Sequence, residues 1–202
     1  MHRGTPYVYQ GEELAMTNTV FDDIDDFRDI ESINEYQEST ARGEDPASVL
    51  DSLRFMSRDN GRTPMQWDDT AHAGFTHGEP WIAVNPNYKE INAEASTGDS
   101  DSVLRHYRRL IELRHELPAV AHGDFTMLLE DHRYVYAFTR RLDDVELLVL
   151  GNFSSEQQKV ELPDVEAWLA SELLITNVSQ EQHDDPSLHL APWESRIYRR
   201  ER

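Results

Sequence analysis

The chain has 202 residues, enough for one or two domains, and its 38% hydrophobic content keeps it in the globular class. There is no cysteine, which excludes disulfides and thiolate metal sites. Asp and Glu number 39 against 19 Lys and Arg, a net charge of -20, so neither nucleic acid nor anionic lipid is an expected partner. Only Lys89 and Lys159 are lysines; the other cations are arginines. No apolar run is long enough to cross a membrane, and a cytoplasmic location is the expectation.

In chain order, residues 5–10 read as a short strand on the strength of Tyr7, Val8 and Tyr9. The strand runs into Gly11-Glu12-Glu13. Two adjacent glutamates suggest an acid/base pair, but neighbours on a strand point to opposite faces and cannot address one substrate, so this pair reads as structural. The acidic run from Asp22 to Glu31 lacks the glycine turn and bidentate Glu of a calcium loop and reads as a solvated surface. Residues 30–42 form a helix stopped by Gly43, and residues 46–56 a second one with Asp45 as cap and Pro46 in its first turn. Val49, Leu50, Leu53 and Met56 give that second helix one apolar face.

The helix delivers the chain into Ser57-Arg58-Asp59-Asn60-Gly61-Arg62-Thr63-Pro64-Met65-Gln66-Trp67. Asp-Asn-Gly is turn chemistry and Pro64 holds Thr63 extended, so Arg58 and Arg62 are expected on a sharply bent loop outside regular structure. A guanidinium there can grip two adjacent oxygens of a ligand. Asp59 and Asp68 are near enough in sequence that Arg62 reads instead as an ion-pair partner. Residues 68–99 are rich in Gly, Asn, Asp and Pro, an irregular stretch of a length that suits a lid. His72 and His77 within it lack the further ligands a metal needs, so no metal or other cofactor is expected.

Residues 101–117 are the clearest helix, with Val103, Leu104, Tyr107, Leu110, Ile111 and Leu113 as its buried stripe, Asp99 or Ser100 as cap and Pro118 as terminator. Arg105, Arg108, Arg109 and Arg114 around it read as an ion-paired surface. The period then switches. Residues 125–129, 134–139, 145–150, 158–162, 172–175 and 195–199 are short strand candidates separated by turn residues, the pattern of a small antiparallel β-sandwich. Asn177-Val178-Ser179 is an N-glycosylation sequon, to which no weight attaches in a cytoplasmic protein.

The eleven residues from Ser57 to Trp67 resemble the signature of the α-glucosidase branch of the α-amylase superfamily, the oligo-1,6-glucosidases and their relatives. The stretch from Gly4 to Leu14, Ala73-Gly74-Phe75 through Pro80-Trp81, and the stretch from Asn85 to Asn92 are similar to the same family, in the same order; Ala15 stands where Gly is usual. The resemblance implies α/β plus all-β architecture: residues 1–117 as the last strand and helices of a (β/α)₈ barrel with its active-site loop, and residues 118–202 as a C-terminal antiparallel β-sandwich domain.

Family resemblance further implies a retaining hydrolase in which one carboxylate attacks the anomeric carbon and another protonates the leaving oxygen, then activates water. In that family both carboxylates, and the Asp of an Asn-His-Asp motif, precede the segment matched by Gly4-Thr5-Pro6-Tyr7. None of them is expected in this chain, which is read as a C-terminal part whose partner is the preceding portion of the barrel. Only two substrate-binding positions carry over. Arg58 matches the arginine that holds hydroxyls of the non-reducing glucose, and Glu31, within Arg28-Asp29-Ile30-Glu31, matches a glutamate at the pocket rim. The expected substrate is an oligosaccharide with a terminal α-1,6 or α-1,4 glucosidic bond. A sucrose isomerase or glucosyltransferase on the same scaffold, and a non-catalytic sugar-binding or structural module, are the alternatives.

A net charge of -20 destabilises the compact state by self-repulsion unless salt screens it, a balance that suits a source with high internal salt. The melting temperature is therefore expected to rise between low and molar KCl; a flat or falling response would contradict this reading.

Overall fold

The computed structural model describes residues 1–178 and 188–201. The chain divides into two compact units, one of residues 7–107 and one of residues 108–202 together with 1–6.

In the first unit, α1 (Ile30–Ala41) and α2 (Pro46–Met56) form over the expected residues. Gly43 takes φ 92° and stops α1, its N–H donating to Thr40 O, while the Asp45 side chain accepts from Ser48 N to cap α2. Val49 and Leu53 bury against Phe21, Phe27 and Ile82, with Leu50 packed beside them. Met56, placed on the same face by its spacing, is exposed. The expected loop of Arg58 is more regular than its turn residues suggest: residues Arg58–Arg62 wind as a 3₁₀ turn capped by Ser57. Residues 68–99 likewise contain two 3₁₀ turns, Ala71–Gly74 and Pro86–Lys89, and a short helix α3 (Ala93–Gly98). The expected strand at residues 5–10 does not form. Among the described residues no strand lies beside it, and an isolated extended segment has nothing to complete its hydrogen bonds.

The long helix α4 runs Val103–Glu116, and the Ser102 hydroxyl, not Asp99 or Ser100, accepts from Arg105 N at its start. Its stripe is only partly buried. Leu113 is covered, whereas Val103 and Ile111 remain exposed, because a helix face is buried only by what packs on it. Arg109 pairs with Glu112 and Glu116, and Arg114 donates to the carbonyls of His2 and Gly4. A short helix α5 (Pro118–His122) follows.

The second unit holds an antiparallel five-stranded sheet ordered β1-β2-β3-β7-β5, with β1 Asp124–Leu128, β2 Val135–Leu142, β3 Val145–Asn152, β5 Glu172–Thr176 and β7 Ser195–Glu201. A two-stranded sheet pairs β4 (Gln158–Val160) with β6 (Leu188–Leu190), and β6 has no counterpart among the strands expected from sequence. Period-two alternation decides the core. Val135, Ala137, Leu148, Leu150 and Tyr198 from the large sheet meet Val160, Leu188 and Leu190 from the small one and Trp168 of α6 (Val165–Leu169). On the opposite face Leu147 packs on Ala119 and Val120 of α5. Asn177 is fully engaged, donating to Trp193 O at 2.9 Å and accepting from Ser195 N at 2.7 Å. Ser179 of the sequon lies outside the described residues.

Ala15 adopts φ 57°, ψ 38°, a left-handed conformation in which its Cβ is crowded and glycine is not. Ala15→Gly is expected to stabilise the first unit by about 0.5–1 kcal/mol, read as a raised melting temperature; a lowered one would contradict this account of the backbone.

Candidate functional site

The site is built around a buried carboxylate. Asp59, fully inaccessible at 0% exposure, accepts the backbone N–H groups of Arg28 at 2.7 Å and Asp29 at 2.8 Å on one oxygen, and the Arg62 guanidinium at 3.2 Å on the other. A buried charge must be paired and hydrogen-bonded, and these donors meet that demand. Its neighbours hold the turn in place. The Ser57 hydroxyl accepts from Asp59 N and lies 2.8 Å from that of Ser32 in α1. Asn60 donates to Arg54 O and accepts from Thr19 N. Every residue from Ser57 to Asn60 is therefore committed to a specific bond.

The segment held by Asp59 in turn holds Arg58. Asp29 precedes α1 at the cap position, yet its side chain makes no cap hydrogen bond; it takes Arg58 Nε at 3.1 Å and Nη2 at 2.8 Å, a bidentate clamp. The Asp29 side chain is only 5% exposed, whereas that of Arg58 is 53% exposed. Glu31 reaches Arg58 Nη2 at 3.1 Å from the solvent side, and Arg62 approaches Asp29 at 3.4 Å. The two residues singled out from sequence, Arg58 and Glu31, are thus in contact with each other. Asp29, which clamps Arg58, carries no signal in the sequence, because a pairing across about thirty residues leaves none locally. The hydrogen bond from Arg58 holds the Asp29 carboxyl below the usual carboxylate range against the opposing effect of burial, and the same pair raises Arg58.

The remaining motif residues lock together around this turn. Gln66 is buried and donates to Asn87 Oδ1 at 3.0 Å and to Ile91 O, Asn87 donates to Thr17 Oγ1, and Asn85 donates to Thr17 O. Gly74 at φ 66° is required, since a Cβ there would meet the Asp68 carboxylate at 2.4 Å. A cleft of about 200 Å³ opens between Tyr9–Glu12, Met16–Asn18 and the residues Asn60, Gly61 and Thr63. Glu12 and Glu13 sit beside it in a 3₁₀ turn, not on a strand. Glu13 accepts from Gly11 N and Glu12 accepts from Tyr107 Oη at 2.8 Å. Burial, then that hydrogen bond, pushes the Tyr107 phenol up to about 12, so it stays a donor. The two carboxylates are held by the turn, and the strand alternation expected from sequence does not apply to them. A larger hollow of about 560 Å³ in the second unit is lined by Glu172, Arg199 and Glu201, with Arg199 paired to both glutamates. Among the described residues no cluster of His, Asp or Glu could hold a metal, and no helix is long and apolar enough to cross a membrane.

Comparison with known proteins adds the following. A family model for the alpha-amylase catalytic domain matches residues 1–123, and one for the C-terminal domain of the alpha-amylase SusG matches residues 135–197. The oligo-1,6-glucosidase of Parageobacillus thermoglucosidasius is 46% identical over 201 residues, covering 98% of this chain and 36% of the relative. The crystal structure of Bacillus licheniformis trehalose-6-phosphate hydrolase superposes with a TM-score of 0.92 at 42% identity, over 99% of this chain and 36% of that one. Isomaltulose synthase from Klebsiella sp. LX3 superposes with a TM-score of 0.85 at 41% identity, over 98% and 35%. The chain therefore spans little more than a third of the length of the relatives it matches.

Asp29 has a folded-state pKa below its unfolded value, so its contribution to stability is present above the unfolded carboxylate pKa of about 3.9 and is lost as pH falls through the folded value. The difference in melting temperature between the native chain and Asp29→Asn is expected to be constant at neutral pH and to shrink below about pH 4. A difference that is independent of pH would contradict the clamp.

Proposed function

The chain belongs to the α-amylase family, and from that membership we propose that it is the carboxy-terminal part of a retaining α-glucosidase acting on non-reducing terminal α-glucosidic bonds of oligosaccharides. In this reading residues 1–117 complete a (β/α)₈ barrel and residues 118–202 form its β-sandwich. The observation that carries the proposal is the state of Arg58. Its Nε and Nη2 are seated on a buried carboxylate, while more than half of its side chain is open to solvent. A guanidinium held in this way is pre-oriented, and its remaining donors can bind adjacent sugar hydroxyls at little ordering cost. Glu31, on the same guanidinium, supplies an acceptor at the rim for a further hydroxyl.

The nucleophile and the acid/base carboxylate belong to the part of the barrel outside these residues. Arg58 and Glu31 are substrate-binding groups; no residue of this chain is assigned a covalent or proton-transfer step. The likeness to an isomaltulose synthase supports a second reading, a sucrose isomerase or glucosyltransferase, which uses the same glucose-holding groups but passes the glucosyl unit to a sugar acceptor instead of water.

The test is a chimera in which this chain replaces the matching region of the Parageobacillus thermoglucosidasius enzyme, assayed on isomaltose, maltose and sucrose. Glucose release from isomaltose or maltose is expected, and Arg58→Ala should lower kcat/KM by roughly ten- to hundredfold, the scale of losing a charge-assisted hydrogen bond. Isomerised disaccharide from sucrose would favour the second reading, and activity indifferent to Arg58→Ala would contradict both.

A further inference from the structure

The sequence holds a single Asn-Gly step, Asn60-Gly61, and it lies at the centre of the turn that carries Arg58. The backbone does not demand glycine there. Gly61 does not adopt a positive φ, and a Cβ on it would meet the Tyr9 ring at 3.6 Å, an ordinary contact. What glycine does supply is a peptide nitrogen with no side chain shielding it from the asparagine before it. Asn60 is half-buried, and its amide is tied on three sides. Nδ2 donates to Arg54 O at 2.9 Å and to Ser57 O at 3.2 Å, and Oδ1 accepts from Thr19 N at 3.2 Å. One side chain thus joins the end of α2, the cap of the 3₁₀ turn and the segment before α1. These bonds need a group that donates from one atom and accepts on the other, which an amide is and a carboxylate is not.

We infer that Asn60 is a site of spontaneous covalent modification, deamidation through a cyclic imide, which the fold holds back and which releases the turn once it has occurred. In the step, Gly61 N attacks Asn60 Cγ and gives up its proton through water, and the bond from Cγ to Nδ2 breaks with release of ammonia. Water then opens the succinimide ring at one of its two carbonyls. The product is aspartate at position 60, or isoaspartate, in which the main chain runs through Cγ. One water is consumed and one ammonia leaves, with no oxidation or reduction. In the fold the attack is blocked twice. The amide is fixed by its three bonds, and the helical backbone of Arg58–Arg62 holds Gly61 N out of line with Cγ. Reaction therefore proceeds through openings of the turn. Afterwards the carbonyls of Arg54 and Ser57 face a carboxylate oxygen instead of a donor, beside the buried charge of Asp59. The turn cannot reclose as before, and Arg58 loses its frame.

The experiment ages the intact 202-residue chain at mildly alkaline pH, both folded and in denaturing urea, and follows position 60 by peptide mass spectrometry. Enzymatic methylation of isoaspartyl carboxylates identifies the isomer. In urea, conversion is expected to be faster at Asn60 than at any other asparagine, and Gly61→Ala should slow it there, where folding of the variant is irrelevant. Folding is expected to slow conversion of the native chain about tenfold or more. Asn60→Asp, which makes the product directly, should lower the melting temperature by several degrees and speed exchange of the Arg28 and Asp29 amides. If Asn60→Asp does not fold during expression, aged native chain separated from unmodified chain by ion exchange gives the same reading. The inference is overturned if the aged chain carries no modification at position 60, or if folding leaves the rate unchanged. It is equally overturned if Asn60→Asp melts and exchanges like the native chain. Every readout is on the chain itself, so an inactive chimera would count against the α-glucosidase reading alone.

Discussion

One buried carboxylate organises the first unit. Asp59 has no access to water, and an ionised group in that position is tolerable only if every strong acceptor direction is filled. The donors it recruits are two consecutive backbone amides from a segment thirty residues earlier and one guanidinium three residues later. That requirement fixes the turn before α1 against the turn after α2, and so fixes where Asp29 stands. Asp29 then forgoes the cap of its own helix to clamp Arg58. The position of the exposed guanidinium is thus set by a chain of constraints that begins in the interior, which is the arrangement a binding group needs if it is to be rigid before its ligand arrives.

The flanking motifs serve the same end. Ser57, Asn60, Gln66, Asn85 and Asn87 each spend a polar side chain on the backbone or on one another. A long segment with little regular structure is thereby held without a large apolar core of its own. Five core residues, Phe21, Phe27, Val49, Leu53 and Ile82, are the whole buried cluster of this unit among the described residues. The second unit is built differently, on alternating strands with apolar contacts on both faces of one sheet. Stability in the first unit is consequently more dependent on charge state, and in the second on packing.

Much of this architecture was legible from sequence because it is local. The bounds of α1 and α2 follow from Asp45-Pro46 and Gly43, and six of the seven strands among the described residues follow from strand-like runs between turn residues. The failures have physical causes. The three residues of β6 carry too short a pattern to stand out, and α3, α5 and α6 are of one or two turns each. Residues 5–10 have strand chemistry but no neighbour, and a strand exists only in a sheet. At the candidate site, Arg58 and Glu31 stood out through family likeness, whereas the roles of Asp29 and Asp59 are properties of pairs far apart in the chain. Only the fold brings such pairs together, so no reading of spacing could find them.

The central claim is that Asp59 fixes the Arg28–Asp29 backbone and through it Arg58. Amide hydrogen exchange followed by NMR tests this most directly, since the two amides that donate to Asp59 report on the bond itself. The account requires the N–H groups of Arg28 and Asp29 to exchange only with global opening of the 7–107 unit, as slowly as amides in the middle of α2. Exchange as fast as that of exposed loop amides would contradict it.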